Sequence, residues 1–125
     1  MAASLRDCII LVVEDEYLIA KDLCAGLAGA YAVVLGSAGT LEAGLKIISQ
    51  ANKVNGAVLD INLRGVPVFK LADELIARHT PFVFATGYNQ SAIPVRFRNV
   101  PRCEKPVQIA QIVDALGQVR AAAGV

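Results

Sequence analysis

The sequence predicts an α/β protein in which a parallel β-sheet is covered by helices on both faces. Short apolar segments alternate with amphipathic segments at regular spacing along the chain. The apolar segments are rich in β-branched and aromatic residues and lack polar alternation, which is typical of strands buried on both faces. The length of 125 residues and the hydrophobic content of 55% suit one domain with a single core. Strict alternation of this kind builds a doubly wound sheet.

Four strands are predicted from apolar runs that are too short to be helices. They cover residues 8–13, 31–35, 56–59 and 81–85, and a fifth, less apolar strand is expected between residues 100 and 104. Right-handed crossovers between five such strands give the flavodoxin-like order 2-1-3-4-5. In this order the carboxyl ends of the first and third strands are neighbours where the strand order reverses, and such sheets bind ligands at that point.

Five helices are predicted, each after a strand, and four of them have apolar residues at helical spacing. Thr40 is a good N-cap for the second helix. The fourth helix would fall within residues 91–98, where Pro94 interrupts the pattern, so we expect this helix to be short or irregular. The apolar faces of the other helices are formed by Ile19, Leu23 and Leu27; Leu41, Leu45 and Ile48; Val68, Leu71, Ala72 and Leu75; and Ile109, Ile112, Val113 and Leu116.

The composition argues against several classes of function. The 12 Lys and Arg residues nearly balance the 11 Asp and Glu residues, so the chain lacks the basic field that attracts nucleic acid. Its apolar runs are far too short to cross a bilayer, and its first residues do not resemble a secretory signal. We therefore expect a cytoplasmic protein that binds neither nucleic acid nor membranes.

The cysteines and the lack of linkers bear on domain organisation. Cys8, Cys24 and Cys103 are widely spaced and form no Cys-x-x-Cys pair, which argues against a disulfide framework and against a zinc site. We expect them to be small buried apolar residues. No linker, repeat or low-complexity stretch interrupts the chain, so residues 1–125 are expected to form one domain.

Polar residues follow four of the five predicted strands. Glu14 and Asp15 follow the first strand, Asp60 the third, Thr86 the fourth and Lys105 the fifth. Because the carboxyl ends of parallel strands meet at one edge, we expect these side chains to lie close together. Three carboxylates in one place raise each other's pKa unless a cation balances them. Ligands that are all oxygen favour Mg²⁺.

A carboxylate at such a site can also act as a nucleophile toward phosphorus. Mg²⁺ and the ammonium of Lys105 would neutralise the phosphoryl oxygens, and the Thr86 hydroxyl could donate to one of them. Each residue also has a plainer interpretation, since the acidic pair could cap a helix, Asp60 could belong to an ordinary loop, and Lys105 could be solvated. Their joint placement at strand ends is what favours a site.

These strand-end residues occur in the same order as in the receiver domain of two-component response regulators. The chain resembles that domain from about residue 7 to residue 120. The elements that carry the resemblance are strand ends at Glu14-Asp15, Asp60, Thr86-Gly87 and Lys105-Pro106.

The resemblance implies a role for each of these residues. Asp60 would be phosphorylated by a sensor histidine kinase, and Mg²⁺ would be bound by Glu14, Asp15, Asp60 and the backbone carbonyl of Asn62. Thr86 would be the switch hydroxyl and Lys105 the phosphate-binding lysine. A cis peptide between Lys105 and the following proline is also implied.

One position departs from the usual receiver pattern. Arg102 stands where receivers carry Tyr or Phe three residues before the lysine, so the usual aromatic switch is not expected. Residues 81–88 instead resemble a receiver subgroup with a Phe-Ala-Thr-Gly-Tyr signature, found in alphaproteobacteria and often without an output domain. We hypothesise that Tyr88 takes over part of the switch or shields the acyl phosphate from water; the alternative is that it packs in the loop.

Several functions remain open from the sequence. The favoured interpretation is a phosphorylation-switched signalling module, not a classical enzyme, that changes its binding to a phosphotransfer or downstream regulatory protein. A phosphate sink or relay without allosteric output is an alternative. A phosphohydrolase with an aspartyl intermediate usually has Asp-x-Asp after the first strand, whereas Asp60-Ile61-Asn62 follows the third. A nucleotide-binding protein would need a glycine-rich first turn, and a degenerate scaffold would need neither Asp60 nor Lys105.

Overall fold

A five-stranded parallel sheet lies between two layers of helices in the computed structural model, which describes residues 5–87 and 93–122. The strand order is β2-β1-β3-β6-β7, which is the predicted order 2-1-3-4-5 once a separate small hairpin, β4-β5, is set aside. The elements in chain order are β1 (Ile9–Val13), α1 (Tyr17–Gly29), β2 (Val33–Ala38), α2 (Leu41–Gln50), β3 (Gly56–Asp60), β4 (Asn62–Leu63), β5 (Val66–Pro67), α3 (Phe69–Ala77), β6 (Phe82–Thr86), a 3₁₀ turn (Val95–Phe97), β7 (Arg102–Glu104) and α4 (Ile109–Ala122).

Burial explains why the central strands are apolar up to their last residue. Every residue of β3 and β6 is buried, because helices cover both faces of the sheet. One apolar cluster lies between the sheet and α2 and α3, and includes Leu59 and Phe84. The other lies between the sheet and α1 and α4, and includes Val58 and Val83. Alternate residues of each strand therefore contribute to opposite layers.

The second strand starts later and runs further than the apolar run at residues 31–35 indicates. It continues to Ala38, and its register with β1 shifts between Leu11 and Val12. Gly36, which has a φ of 39°, lies at this irregularity. Glycine tolerates this backbone conformation, so the strand passes the bulge and keeps pairing.

The second helix begins as predicted. The Thr40 hydroxyl accepts a hydrogen bond from the Ala43 backbone N–H at 3.1 Å. This bond satisfies one of the free donors at the start of α2.

In the described part of the chain, the fourth helical position is occupied by the 3₁₀ turn rather than by an α-helix. This is the short element that Pro94 predicts, since proline cannot continue a helix from the preceding residues. Tertiary contacts hold the turn in place. Phe97 is buried, stacked on Phe69 at 5.4 Å between ring centroids and edge-on to Phe84 at 5.8 Å. Arg96 donates two hydrogen bonds to Asp73 of α3, at 2.8 and 2.9 Å.

A two-stranded hairpin follows β3, and the sequence analysis did not predict it. Asn62 pairs with Pro67 and Leu63 with Val66 across a two-residue turn. Arg64 and Gly65 in this turn have φ values of 53° and 88°. Positive φ at both central positions is the geometry of tight hairpins, and Gly65 was the local signal for it.

Two of the three cysteines are buried, as the sequence predicts for all three. All three cysteines are free thiols; Cys8 and Cys103 are buried and Cys24 is partly buried. Within residues 5–87 and 93–122, each helix is too short or too polar to cross a membrane.

We predict that replacing Phe97 with Ala lowers the free energy of unfolding by about 3 to 5 kcal/mol, because the cavity left among the buried rings cannot fully collapse. Urea denaturation measures this loss. Val95→Ala is the matched control in the same turn; its side chain is 72% exposed, so its loss should stay within about 0.5 kcal/mol. A loss below about 1 kcal/mol for Phe97→Ala would mean that the turn is not anchored in the core.

Candidate functional site

The predicted polar residues meet at the carboxyl edge of the sheet. Glu14 directly follows β1, and its backbone N–H donates to the Ala38 carbonyl at 2.9 Å. Asp60 is the last residue of β3, the strand next to β1. Thr86 ends β6, and its carbonyl accepts from the Lys105 N–H at 2.7 Å. The strand order thus brings four chain segments to one place.

Three carboxylates form a compact acidic cluster there. Glu14, Asp15 and Asp60 each offer an oxygen, and these oxygens lie within 4.8 Å of one another. Glu14 and Asp60 are almost completely buried, at 3% and 4% exposure. Water therefore screens the repulsion between them poorly, and a nearby cation is needed.

Lys105 supplies one cation from the opposite side of the cluster. Its Nζ lies 2.8 Å from Glu14 Oε1 and donates a hydrogen bond of 3.1 Å to Asp60 Oδ2. Burial works to lower the pKa of Lys105, but the Glu14 and Asp60 carboxylates outweigh it, and the pKa lies above its ordinary value. The ammonium therefore stays charged at neutral pH.

The acidic groups titrate as a coupled set. Burial first, and then the negative charge of Glu14, raise the pKa of Asp60 to about 7, although Lys105 opposes the rise. Burial also works to raise the pKa of Asp15, but hydrogen bonds with Asp60 and Glu14 outweigh it and the pKa falls below its ordinary value. Without a further cation, the cluster therefore holds a proton near neutral pH.

Backbone donors orient two of the carboxylates. The Glu16 N–H donates to Glu14 Oε2 at 3.1 Å, and the Asn62 N–H donates to Asp60 Oδ1 at 3.2 Å. The two oxygens of Asp60 thus face different partners, since Oδ2 contacts Lys105. The Asn62 side chain is turned into the hairpin, where its Oδ1 accepts from the Gly65 N–H at 2.5 Å. The Oδ1 of Asn62 is therefore engaged by the turn.

An open cavity of about 300 Å³ leads from solvent to Asp60. The cavity is large enough for a phosphoryl-sized group and several waters. It is lined by Asp15, Glu16, Asp60, Asn62, Arg64, Gly87 and Lys105.

The residues present fit a hard divalent cation. The donors are all oxygens, which suits such a cation better than a softer metal. Glu14 Oε1 is buried and accepts no hydrogen bond from the described residues. Its negative charge is balanced by the ion pair with Lys105. A cation beside this cluster would relieve a charge imbalance that the protein leaves in place.

The three residues expected to form the switch, Thr86, Tyr88 and Arg102, differ in where they lie. Thr86 is buried at the end of β6, next to the site. Tyr88 lies outside the described residues. Arg102 is exposed, and its partner in the adjacent strand is Phe84. The rings that pack around β6 are instead those of Phe82, Phe84 and Phe97, which are buried, and Phe69, which is partly buried.

Sequence reasoning missed Arg64. Its Nε lies 3.7 Å from Asp15 Oδ2, at the rim of the cavity. The signal in the sequence was a charged residue next to a glycine, four positions after Asp60. A tight turn at such a pair brings the charged side chain back toward the site.

Neither a protein-family model nor a curated protein sequence matches the chain. Solved structures do match it. The solution structure of SdrG from Sphingomonas melonis Fr1 is 35% identical with a TM-score of 0.77, and the match covers 95% of this chain and 98% of SdrG.

Two further solved structures are more distant in sequence. A response regulator receiver protein from Sinorhizobium medicae WSM419 is 23% identical with a TM-score of 0.75, over 96% of this chain and 99% of that one. The PhyR response regulator REC domain from Erythrobacter litoralis is 21% identical with a TM-score of 0.78, over 92% of this chain and 91% of that one. At 35% identity over nearly the whole length of both chains, this chain belongs to the same family as SdrG, and its fold is that of a response regulator receiver domain.

Proposed function

We propose that this protein is the phospho-acceptor receiver of a two-component system, in which a sensor histidine kinase transfers a phosphoryl group to Asp60 in a Mg²⁺-dependent reaction. The observation that carries the proposal is the position of Asp60 in an open cavity, between an acidic pair and the Lys105 ammonium. The receiver domains among the structural neighbours support a phospho-acceptor role of this type.

The metal would be held by the carboxylates of Glu14, Asp15 and Asp60 and by the backbone carbonyl of Asn62. When bound, Mg²⁺ supplies positive charge for the phosphoryl oxygens and keeps Asp60 ionised. The coordinating set needs no rearrangement of strands, because the three carboxylates already lie together.

The residues of the chain account for the transfer itself. An Asp60 oxygen attacks phosphorus in line and forms the O–P bond as the N–P bond of the donor phosphohistidine breaks, and the histidine nitrogen keeps the electron pair. The Asn62 N–H fixes the direction of the Asp60 carboxylate. The Lys105 ammonium neutralises charge on the phosphoryl group, and the Thr86 hydroxyl donates to one of its oxygens.

The response to phosphorylation would pass through β6. Thr86 and Phe84 are two residues apart on one strand, so they share a face of the sheet, and Phe84 contacts Phe97 of the 3₁₀ turn. A shift of Thr86 toward the phosphoryl group would therefore reach the turn and change the surface around it and β7. A phosphate sink or relay would lack this change.

An apolar groove beside the site suits docking of a protein phosphodonor. The groove has a volume of about 400 Å³ and runs between α1 and the start of α4, with Lys105 and Pro106 in its wall. Tyr17 and Leu18, at the start of α1, are 76% and 72% exposed. Exposed apolar groups next to a charged site are typical of a surface that a partner covers.

We predict that acetyl phosphate with Mg²⁺ adds one phosphoryl group to the wild-type protein and none to Asp60→Ala. The reason is that Asp60 is the carboxylate that both lies in the cavity and contacts Lys105. Intact-protein mass spectrometry measures the addition. Asp114→Ala, which removes an exposed carboxylate of α4, is the matched control and should be labelled like the wild type. Equal labelling of Asp60→Ala and wild type would refute the assignment.

We also predict that Asp60→Asn stabilises the metal-free protein at high pH. The folded-state pKa of Asp60 is about 7, above its ordinary value of 3.8, so ionisation destabilises the native state as the pH rises through this interval. The difference between 3.8 and about 7 corresponds to about 4 kcal/mol at pH 8, and solvent that reaches Asp60 through the cavity reduces it, so the variant should gain about 2 to 4 kcal/mol. The gain should disappear as the pH falls toward 4. Urea denaturation in chelator measures the gain.

The same variant tests metal binding. Mg²⁺ should raise the melting temperature of the wild type more than that of Asp60→Asn, because a ligand that binds the native state stabilises it by mass action. The control Asp114→Asn should behave like the wild type at every pH. A pH-independent difference between Asp60→Asn and the wild type would show that repulsion in the cluster is not its cause.

A further inference from the structure

Arg64 occupies a backbone position that suits glycine or asparagine better than arginine. It is the first residue of the two-residue turn between β4 and β5, and its φ is 53°. Side chains with a Cβ are disfavoured in this conformation, and hairpin turns of this kind usually take Asn or Gly there. Strain held at one residue next to a site is an observation that points to a role for its side chain.

The hairpin fixes where this side chain begins. The Asn62 side chain accepts from the Gly65 N–H, and Val68 N–H donates to the Ile61 carbonyl at 2.9 Å. The turn is therefore tied at its tip and at its base. The guanidinium that it carries lies at the mouth of the cavity, with Nε 3.7 Å from Asp15 Oδ2.

The contact between Arg64 and Asp15 is one that can be exchanged. The Arg64 side chain is 82% exposed and that of Asp15 is 12% exposed. Solvent screens an ion pair of this length and exposure, so its loss costs little. Lys105, in contrast, is 18% exposed and is held between two buried carboxylates. The site thus has one cation fixed on its inner side and one loosely held on its outer side.

Charge balance indicates what the outer cation is for. With Mg²⁺ bound, the divalent ion and the Lys105 ammonium together offset the three ionised carboxylates of the cluster. Phosphorylation of Asp60 replaces one carboxylate charge with about two negative charges. One positive charge is then missing, and the nearest described cation besides Lys105 that lines the cavity is Arg64.

We propose that Arg64 is a second phosphoryl-binding residue, which leaves Asp15 and donates to an outward-facing oxygen of the phosphoryl group on Asp60. This inference rests on the proposed function. A guanidinium is well suited to the task because its planar donors match phosphoryl oxygens. In the unphosphorylated state Arg64 competes with the metal for Asp15. Arg64 therefore weakens metal binding and strengthens binding of the phosphoryl group.

The test is a titration with beryllofluoride, an analogue of the phosphoryl group, in the presence of saturating Mg²⁺. Isothermal titration calorimetry measures its affinity, and a separate titration measures Mg²⁺ alone. Arg64→Gln should bind beryllofluoride roughly fivefold more weakly, as expected for a partly exposed charged contact. It should bind Mg²⁺ at least as tightly as the wild type, because a competitor for Asp15 has been removed. Arg64→Lys should recover part of the beryllofluoride affinity.

Two further variants separate this role from a structural one. Arg64→Gly suits the positive φ, so its melting temperature should equal or exceed that of the wild type while its beryllofluoride affinity falls. Lys46→Gln removes an exposed positive charge from α2 and should leave beryllofluoride binding unchanged. A purely structural role for Arg64 would not weaken one ligand and spare the other.

The outcomes are distinguishable. If the wild type binds beryllofluoride and Arg64→Gln binds it equally well, the role of Arg64 is wrong and the proposed function stands. If Lys46→Gln weakens binding as much as Arg64→Gln, the effect belongs to net charge and the role is also wrong. If the wild type binds no beryllofluoride with Mg²⁺, the proposed function fails and this inference fails with it.

Discussion

The structure of the site depends on the Lys105 ammonium between the buried carboxylates of Glu14 and Asp60. Glu14 and Asp60 end up side by side because β1 and β3 are neighbours in the sheet. Lys105 reaches them from β7, beyond β6, and the hydrogen bond from its N–H to the Thr86 carbonyl sets the starting point of its side chain. Four strands must therefore keep their order and register for the contacts of one ammonium to form. This constraint links the fold directly to the chemistry.

The same arrangement costs stability, and the sheet offsets that cost. Three carboxylates meet one fixed ammonium in a place where water screens poorly, which raises the pKa of Asp60 to about 7. Two of the strands that carry the site, β3 and β6, are buried at every residue. A rigid apolar support lets a poorly balanced polar site persist, and the excess negative charge favours a cation at the acidic cluster.

The path from the site to the surface differs from the usual receiver pattern at one position. Residue 102 is an arginine that is exposed on β7, so this position has no aromatic ring. Phe97 and Phe69 instead pack on the ring of Phe84 in β6. Arg96 ties the same turn to Asp73 of α3. The proposed response of Thr86 to phosphorylation would therefore reach this aromatic cluster through Phe84, which lies on the same strand.

Alternating apolar and amphipathic segments were enough to predict the sheet, its strand order and the residues at the strand ends, because strands buried on both faces must be apolar. Pro94 was enough to predict the short fourth element. The hairpin at Arg64 and Gly65, the bulge at Gly36 and the anchoring of Phe97 were decided by contacts between distant segments. Sequence periodicity is local, whereas the direction of a side chain such as that of Arg64 depends on backbone dihedrals and on the partners that surround it. The burial of Asp60 and its proximity to Glu14 arise only once the strands are assembled, and so does the raised pKa of Asp60.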